Sequence, residues 1–207
     1  MDYEIIKKQF PALLIGIFVG AGMFLLGQNT SLSNGPNEAE VGFAQDMSVH
    51  HQQAIEMSFL IRERTGNQAI RGFAFDIINT QANQRGMMLG WLDLWQQPLS
   101  TTKTPMMWMM DDMSSMDHSQ MTKDFTLGAY MPGMATKAEM DQLTTLEDSE
   151  AEKLFLELMI RHHQGGVMMA EGVINRSDNE TVTRLAQTMV DGQQAEIDYM
   201  NELLTTY

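Results

Sequence analysis

The stretch that decides the fold is 155–170, which reads FLELMIRHHQGGVMMA. An earlier stretch, 43–58, reads FAQDMSVHHQQAIEMS, so Met-x-x-His-His begins at Met47 and again at Met159, 112 residues later. Residues at the same offset continue to match beyond both motifs. A gapless match of roughly 50 further residues indicates a duplicated helical hairpin.

Apolar residues in both copies recur at alternating spacings of four and three, which is typical of a helix that packs against a partner. Turn and capping residues bound the helices: we expect a left-handed cap at Gly66, capping boxes beginning at Thr136 and Ser149, and a cap at Asn179. The predicted long helices cover 37–64, 68–95, 149–175 and 180–204, and a short helix begins near 136.

Two hairpins with short turns and one long crossover predict an all-α, ferritin-like four-helix bundle. The bundle is expected over 38–207, as a hairpin at 38–96, a Met-rich crossover at 97–148 and a second hairpin at 149–205. No segment alternates as a strand would.

The N-terminal sequence predicts that the protein is located outside the cytoplasm. Residues 10–26 carry no charge and follow Lys7 and Lys8; as a helix they would span roughly 26 Å. We expect 1–27 to be a signal anchor in the inner membrane, followed by a polar linker at 28–37, with the bundle on the periplasmic side. The alternative is a cleaved signal peptide and a secreted or periplasmic protein.

The composition limits the kinds of partner that the protein can bind. The net charge is -14, which argues against nucleic acid because phosphate binding needs a basic face. Cysteine is absent and there are 21 methionines. A soft metal would therefore use thioether and imidazole ligands.

The repeated motif places such ligands one or two helical turns apart, on or beside the inward stripe. The candidates are Met47, His50, His51 and Met57 in the first copy, and Met159, His162, His163 and Met169 in the second. Both ligand types are neutral, which favours a soft monovalent ion, Cu(I) or Ag(I), over Mg²⁺ or Ca²⁺.

The alternative interpretation is that these histidines and methionines have a purely structural role. A buried histidine is usually a hydrogen-bonded core residue, and methionine at helical spacing usually fills a core. Under it, His50 or His162 would be hydrogen-bonded to Gln81 or Gln193 on the paired helix. Repetition in register favours the metal site.

The crossover contains further soft ligands beside acidic residues, which suggests a capture site for Cu(I) or Ag(I). Trp108 within it would either cover an ion or anchor the segment. The secondary candidates are Met109, Met113, Met116, His118, Met131 and Met134.

Catalysis is not expected. Ferritin-like di-iron sites use Glu-x-x-His pairs, and no glutamate stands three residues before any histidine. A divergent metal-dependent oxidase and a metal-free envelope scaffold or partner-binding bundle remain the alternatives to a copper-binding protein with a copper donor or acceptor as partner.

The chain resembles the domain-of-unknown-function 305 family of exported bacterial proteins. The resemblance covers about 40–205 and is most specific at 131–134, MPGM, and at 155–170. A second-helix pattern of Gln193, Glu196, Ile197 and Met200 is kept in the second half but degenerates in the first. The resemblance implies a ferritin-like four-helix fold and copper handling through Met and His.

Overall fold

The computed structural model describes residues 35–109 and 131–207, which contain five helices and no strand. The all-α prediction is confirmed for these residues. In chain order the helices are α1 (Glu38–Arg64), α2 (Gln68–Leu94), α3 (Lys137–Thr145), α4 (Asp148–Ile174) and α5 (Glu180–Leu204).

Side-chain caps explain where most helices begin. Asn37 and Glu40 form a capping box at the start of α1, and Thr136 and Glu139 form the predicted box at α3. Asn179 caps α5 as predicted, by accepting the Thr181 amide at 3.1 Å. Each such bond satisfies a backbone donor that has no partner within the helix.

Two expected helix ends are wrong. α1 ends at Arg64, its C-cap Thr65 has an extended backbone, and Gly66 has no positive φ. α4 begins at Asp148, one residue before the expected Ser149 box, and its N-cap Glu147 makes no side-chain cap. A hydrogen bond from Thr65 to Glu152 joins these two ends.

The core joins the two hairpins through α1 and α4, which run antiparallel. One apolar cluster contains Met47 from early α1 and Met169 from late α4. The other contains Met57 from late α1 and Met159 from early α4. The His-His pairs lie along the same helices between these clusters.

The ends of this helix pair repeat one contact by pseudo-twofold symmetry. Ser177 donates to the buried Glu40 carboxylate at 2.7 Å, and Thr65 donates to the buried Glu152. Each hydroxyl also accepts an amide from the N-cap that follows it, Asn179 or Asn67. The duplication read from the sequence therefore extends to the polar contacts.

The predicted anchor at 1–27 lies outside the described residues, as does 110–130. Among the helices that the structure describes, none combines the length and apolar character needed to cross a membrane.

Candidate metal centre

Two buried imidazoles stack where α1 passes α4. The His50 and His162 ring centroids are 3.7 Å apart, with planes inclined by 33°. His50 is 0% exposed and His162 is 1% exposed. Two protonated rings at this distance would repel each other in a site of low polarity.

The pKa values follow from that environment. Burial lowers the pKa of His50 to about 3, with the neighbouring His51 adding to the effect and the Pro132 carbonyl opposing it. Burial, and then the proximity of His50, hold the pKa of His162 well below its usual value. Both rings are therefore neutral at neutral pH, and a neutral imidazole carries a free lone pair.

The second histidine of each motif is held by the neighbouring helix of its own hairpin. His51 Nε2 donates to the amide oxygen of Gln84 on α2 at 2.8 Å, and His163 Nε2 donates to the Glu196 carboxylate on α5 at 2.6 Å. Burial lowers the pKa of His51 to about 4. A partner on Nε2 orients each ring and leaves Nδ1 as the free acceptor.

Five histidine nitrogens in this layer have no hydrogen-bond partner among the described residues. They are Nδ1 of His50, His51 and His163, and both ring nitrogens of His162. Buried polar atoms are normally bonded, so a group of five needs an explanation. At most four of the five could offer a lone pair to a metal ion, because one nitrogen of the neutral His162 ring carries the proton.

The hydrogen bonds to Gln81 or Gln193 that were expected for a structural role do not form, although His50, His51 and His163 each have another partner. Neither His50 nor His162 bonds to Gln81 or Gln193. Both amide atoms of Gln81 are themselves without a partner in the described part of the chain, and the Gln193 amide oxygen lies against Gly166. That interpretation is wrong in this detail.

The four predicted methionines of the motif helices are all fully buried. Each flanking cluster holds one of them from each hairpin, Met47 with Met169 and Met57 with Met159. Within 35–109 and 131–207, no three His, Asp or Glu side chains converge on a common ion position.

The segment Met131-Pro132-Gly133-Met134 closes over the histidine pair. His50 Nε2 donates to the Pro132 carbonyl at 3.1 Å. A Cβ at Gly165 would lie 2.0 Å from that carbonyl oxygen, and Gly133 has a φ of 75° where it meets the α4 backbone. Glycine at both positions is what allows this close approach.

A reciprocal pair of hydrogen bonds secures the same segment. The Gln53 side chain accepts from the Ala135 amide at 2.7 Å and donates to the Ala135 carbonyl at 2.8 Å. Gln53 therefore ties the end of the crossover to α1, one turn beyond His50.

The beginning of the crossover is tied to the same helix. Buried Asp46 accepts the Met106 amide at 2.8 Å and Trp108 Nε1 at 2.9 Å. Burial raises the pKa of Asp46, and these two bonds oppose the rise. Of its two expected roles, Trp108 therefore takes that of an anchor.

The secondary candidates divide into two groups. Met109 and Met131 are buried in the cluster of Met47 and Met169, and Met134 packs against it. Met113, Met116 and His118 lie outside the described residues.

Sequence reasoning missed the residues that support the site. The carbonyl of Pro132 and the clamp of Gln53 left no periodic signal. The role of Gln84 and Glu196 as hydrogen-bond partners of the second histidines was missed too. The sequence did contain a signal for it, because Gln84 and Glu196 are 112 residues apart, as His51 and His163 are.

Comparisons with known proteins agree with this architecture. A crystal structure of a DUF305 protein from Streptomyces coelicolor, described as secreted, is 48% identical; it covers 81% of this chain and 93% of its own, with a TM-score of 0.70. A DUF305 fragment from Deinococcus radiodurans is 33% identical, with 83% and 98% covered and a TM-score of 0.66.

A more distant likeness shares the fold. CopM in its Cu(I)-bound form is 21% identical, with 81% of this chain and 96% of that chain covered and a TM-score of 0.60. No curated protein matches the sequence. The model of the domain of unknown function DUF305 matches residues 40–204, and the chain therefore belongs to the DUF305 family.

Proposed function

We propose that this protein is an exported metal-binding protein that binds Cu(I), and also Ag(I), through histidine and methionine. The observation that carries the proposal is the layer of five unpartnered histidine nitrogens. Such a layer costs stability in the metal-free protein, since each unsatisfied buried polar atom costs about 1–3 kcal/mol. A bound ion offsets that cost.

The chemistry of the donors supports a soft monovalent ion. The lowered pKa values of His50, His51 and His162 keep these rings neutral, so they bind a cation without first releasing a proton. Thioethers beside them favour Cu(I) and Ag(I) over hard cations. CopM, which shares the fold, is known in Cu(I)-bound, Cu(II)-bound and Ag-bound forms, which supports the choice of ions.

The described part of the crossover supports a route for the ion. Met131 and Met109 extend the soft cluster of Met47 and Met169 toward the crossover. The Met- and His-containing residues 113–118 follow directly in the chain and would act in capture. Handover to a copper donor or acceptor protein is the partner relationship that fits such ligands.

Buffering, resistance or trafficking of copper is the biological role that fits. Binding without turnover is expected, because the ligand set provides no general acid or base beside the metal. The N-terminal segment would anchor the bundle in the inner membrane or direct its secretion. A DUF305 relative described as secreted supports export.

Anaerobic competition for Cu(I) against a chromogenic chelator tests the proposal. We expect binding tighter than micromolar, weakened at least tenfold in Met47→Leu/Met159→Leu, because leucine keeps the volume but removes the thioether. The matched control is Met88→Leu/Met200→Leu, a second pair of buried methionines at the same offset. This control should bind as the wild type does.

Two results would overturn the proposal. Binding weaker than micromolar would leave a scaffold or partner-binding bundle as the better interpretation. Metal-dependent oxygen consumption would favour the oxidase.

A further inference from the structure

The two hairpins differ at the residues that form hydrogen bonds with the second histidine of each motif. His51 has the neutral amide of Gln84 as its partner, whereas His163 has the carboxylate of Glu196. Gln84 and Glu196 are equivalent residues of the two hairpins. The two halves therefore present similar ligands with different charges behind them.

The residue after Gln84 increases this charge difference between the two halves. Arg85 donates from Nε to the Ser48 carbonyl at 3.2 Å, and its charge adds to the effect of burial in lowering the pKa of His51. Its equivalent in the second hairpin is Ile197, a buried apolar residue. The first half thus places a cation near its histidine, and the second places an anion.

We propose that this charge difference sorts ions by valence: the His163 half accepts divalent copper as well as monovalent ions, and the His51 half accepts only monovalent ions. The inference rests on the proposed function and deepens it. Glu196 acts as a positioning and specificity-determining residue, because it works through the His163 ring that it contacts. Arg85 contributes only its charge, since its hydrogen bond is to the Ser48 carbonyl.

Two physical effects of Glu196 support this assignment. A carboxylate that accepts the Nε2 proton makes the imidazole a stronger donor at Nδ1. Its negative charge also attracts a doubly charged ion twice as strongly as a singly charged one. The Glu196 side chain is 24% exposed, so solvent screens part of this attraction, but the His163 ring it contacts is fully buried.

Exchange of the partner residues tests the inference. The variants are Glu196→Gln and Gln84→Glu, each nearly equal in shape to the original residue. Glu202→Gln is the matched control, because it changes the net charge equally at an exposed position of α5. Cu²⁺ binding is followed by EPR in His51→Asn and His163→Asn, each of which leaves one half intact, because paramagnetic broadening would reach every ring of a layer whose neighbouring centroids are 3.7 and 6.3 Å apart. Ag⁺ binding is followed by ring shifts in ¹H–¹⁵N NMR spectra.

We expect His51→Asn, which keeps the His163 half, to bind Cu²⁺ well before His163→Asn does, and we expect Ag⁺ to shift the rings of both halves. Glu196→Gln should weaken Cu²⁺ binding at His163 roughly 10–100-fold, toward the lower end because of the exposure. The loss for Ag⁺ should be about the square root of that factor, roughly 3–10-fold. Gln84→Glu should strengthen Cu²⁺ binding at His51, and Glu202→Gln should change neither.

Failure of the inference can be told from failure of the function. If Ag⁺ shifts the rings but both exchanges leave the Cu²⁺ order unchanged, or Glu202→Gln has the effect of Glu196→Gln, valence sorting is wrong and metal binding stands. If neither ion binds, the proposed function itself fails.

Discussion

His162 is an unusual core residue, because both of its ring nitrogens are buried and neither meets the geometry of a hydrogen bond in the described structure. The His50 backbone lies close enough only to oppose the lowering of the His162 pKa. Its neighbour His50 stacks on it and donates one bond to Pro132. An ordinary core would fill this position with an apolar side chain at lower cost. In the proposed function, a bound ion uses the lone pairs that this pair of rings leaves without a partner.

Stability of the metal-free protein should depend on pH through these rings. The pKa is lowered to about 3 for His50 and about 4 for His51, and well below the usual value for His162. The unfolded chain takes up protons near pH 6.5, before the folded protein does. The stability from neutral rings is therefore complete above pH 6.5 and is lost as the pH falls toward the folded values.

Between pH 7.5 and 5.5 we expect the free energy of unfolding to fall by about 1 kcal/mol for each such histidine. Asp46 acts in the opposite direction, since its pKa is raised. Urea unfolding at the two pH values measures the difference, and NMR titration shows which rings stay neutral. An unchanged urea midpoint, or ring signals of His50, His51 and His162 that titrate near pH 6.5, would contradict this pKa pattern.

At the scale of elements, the contact between the 131–135 segment and α4 determines how the histidine layer is closed. Gly165 leaves no room for a Cβ, which would lie 2.0 Å from the Pro132 carbonyl oxygen. Backbone atoms on both sides cannot move as a flexible side chain would. The segment and the helix must therefore separate if the residue is enlarged.

Gly165→Ala should destabilise the protein by about 1–3 kcal/mol, because overpacking outweighs the better helix propensity of alanine. Gly192→Ala in α5 is the matched control. Its Cβ would meet nothing within 4 Å, so it should be stabilising by up to about 1 kcal/mol. Equal unfolding midpoints for the two variants would show that the segment does not pack as described.

Features that depend on local hydrogen bonds were predicted from the sequence better than features that depend on long-range contacts. The caps at Asn179 and Thr136 are local hydrogen bonds, and both were predicted. The start of α4 was missed by one residue, because its N-cap makes no side-chain bond. The roles of Pro132 and Gln53 depend on contacts across 82 residues, which helical periodicity cannot reveal.

At the scale of the whole molecule, duplication explains both the fold and the candidate site. Equivalent hydroxyl–carboxylate contacts close the two ends of the α1–α4 pair, and equivalent histidines meet in its middle. A sequence offset predicts which residues correspond, and hence the candidate ligands. It cannot predict that His50 and His162 stack, because that depends on how two antiparallel helices cross.

X-ray absorption at the copper edge of the Cu(I)-loaded protein tests most directly whether the buried histidines and methionines bind a soft ion together. We predict a mixed first shell of nitrogen and sulfur neighbours, with the sulfur contribution reduced in Met47→Leu/Met159→Leu and retained in Met88→Leu/Met200→Leu. A shell of nitrogen and oxygen alone, or one that the first pair of substitutions leaves unchanged, would contradict a centre formed by these residues.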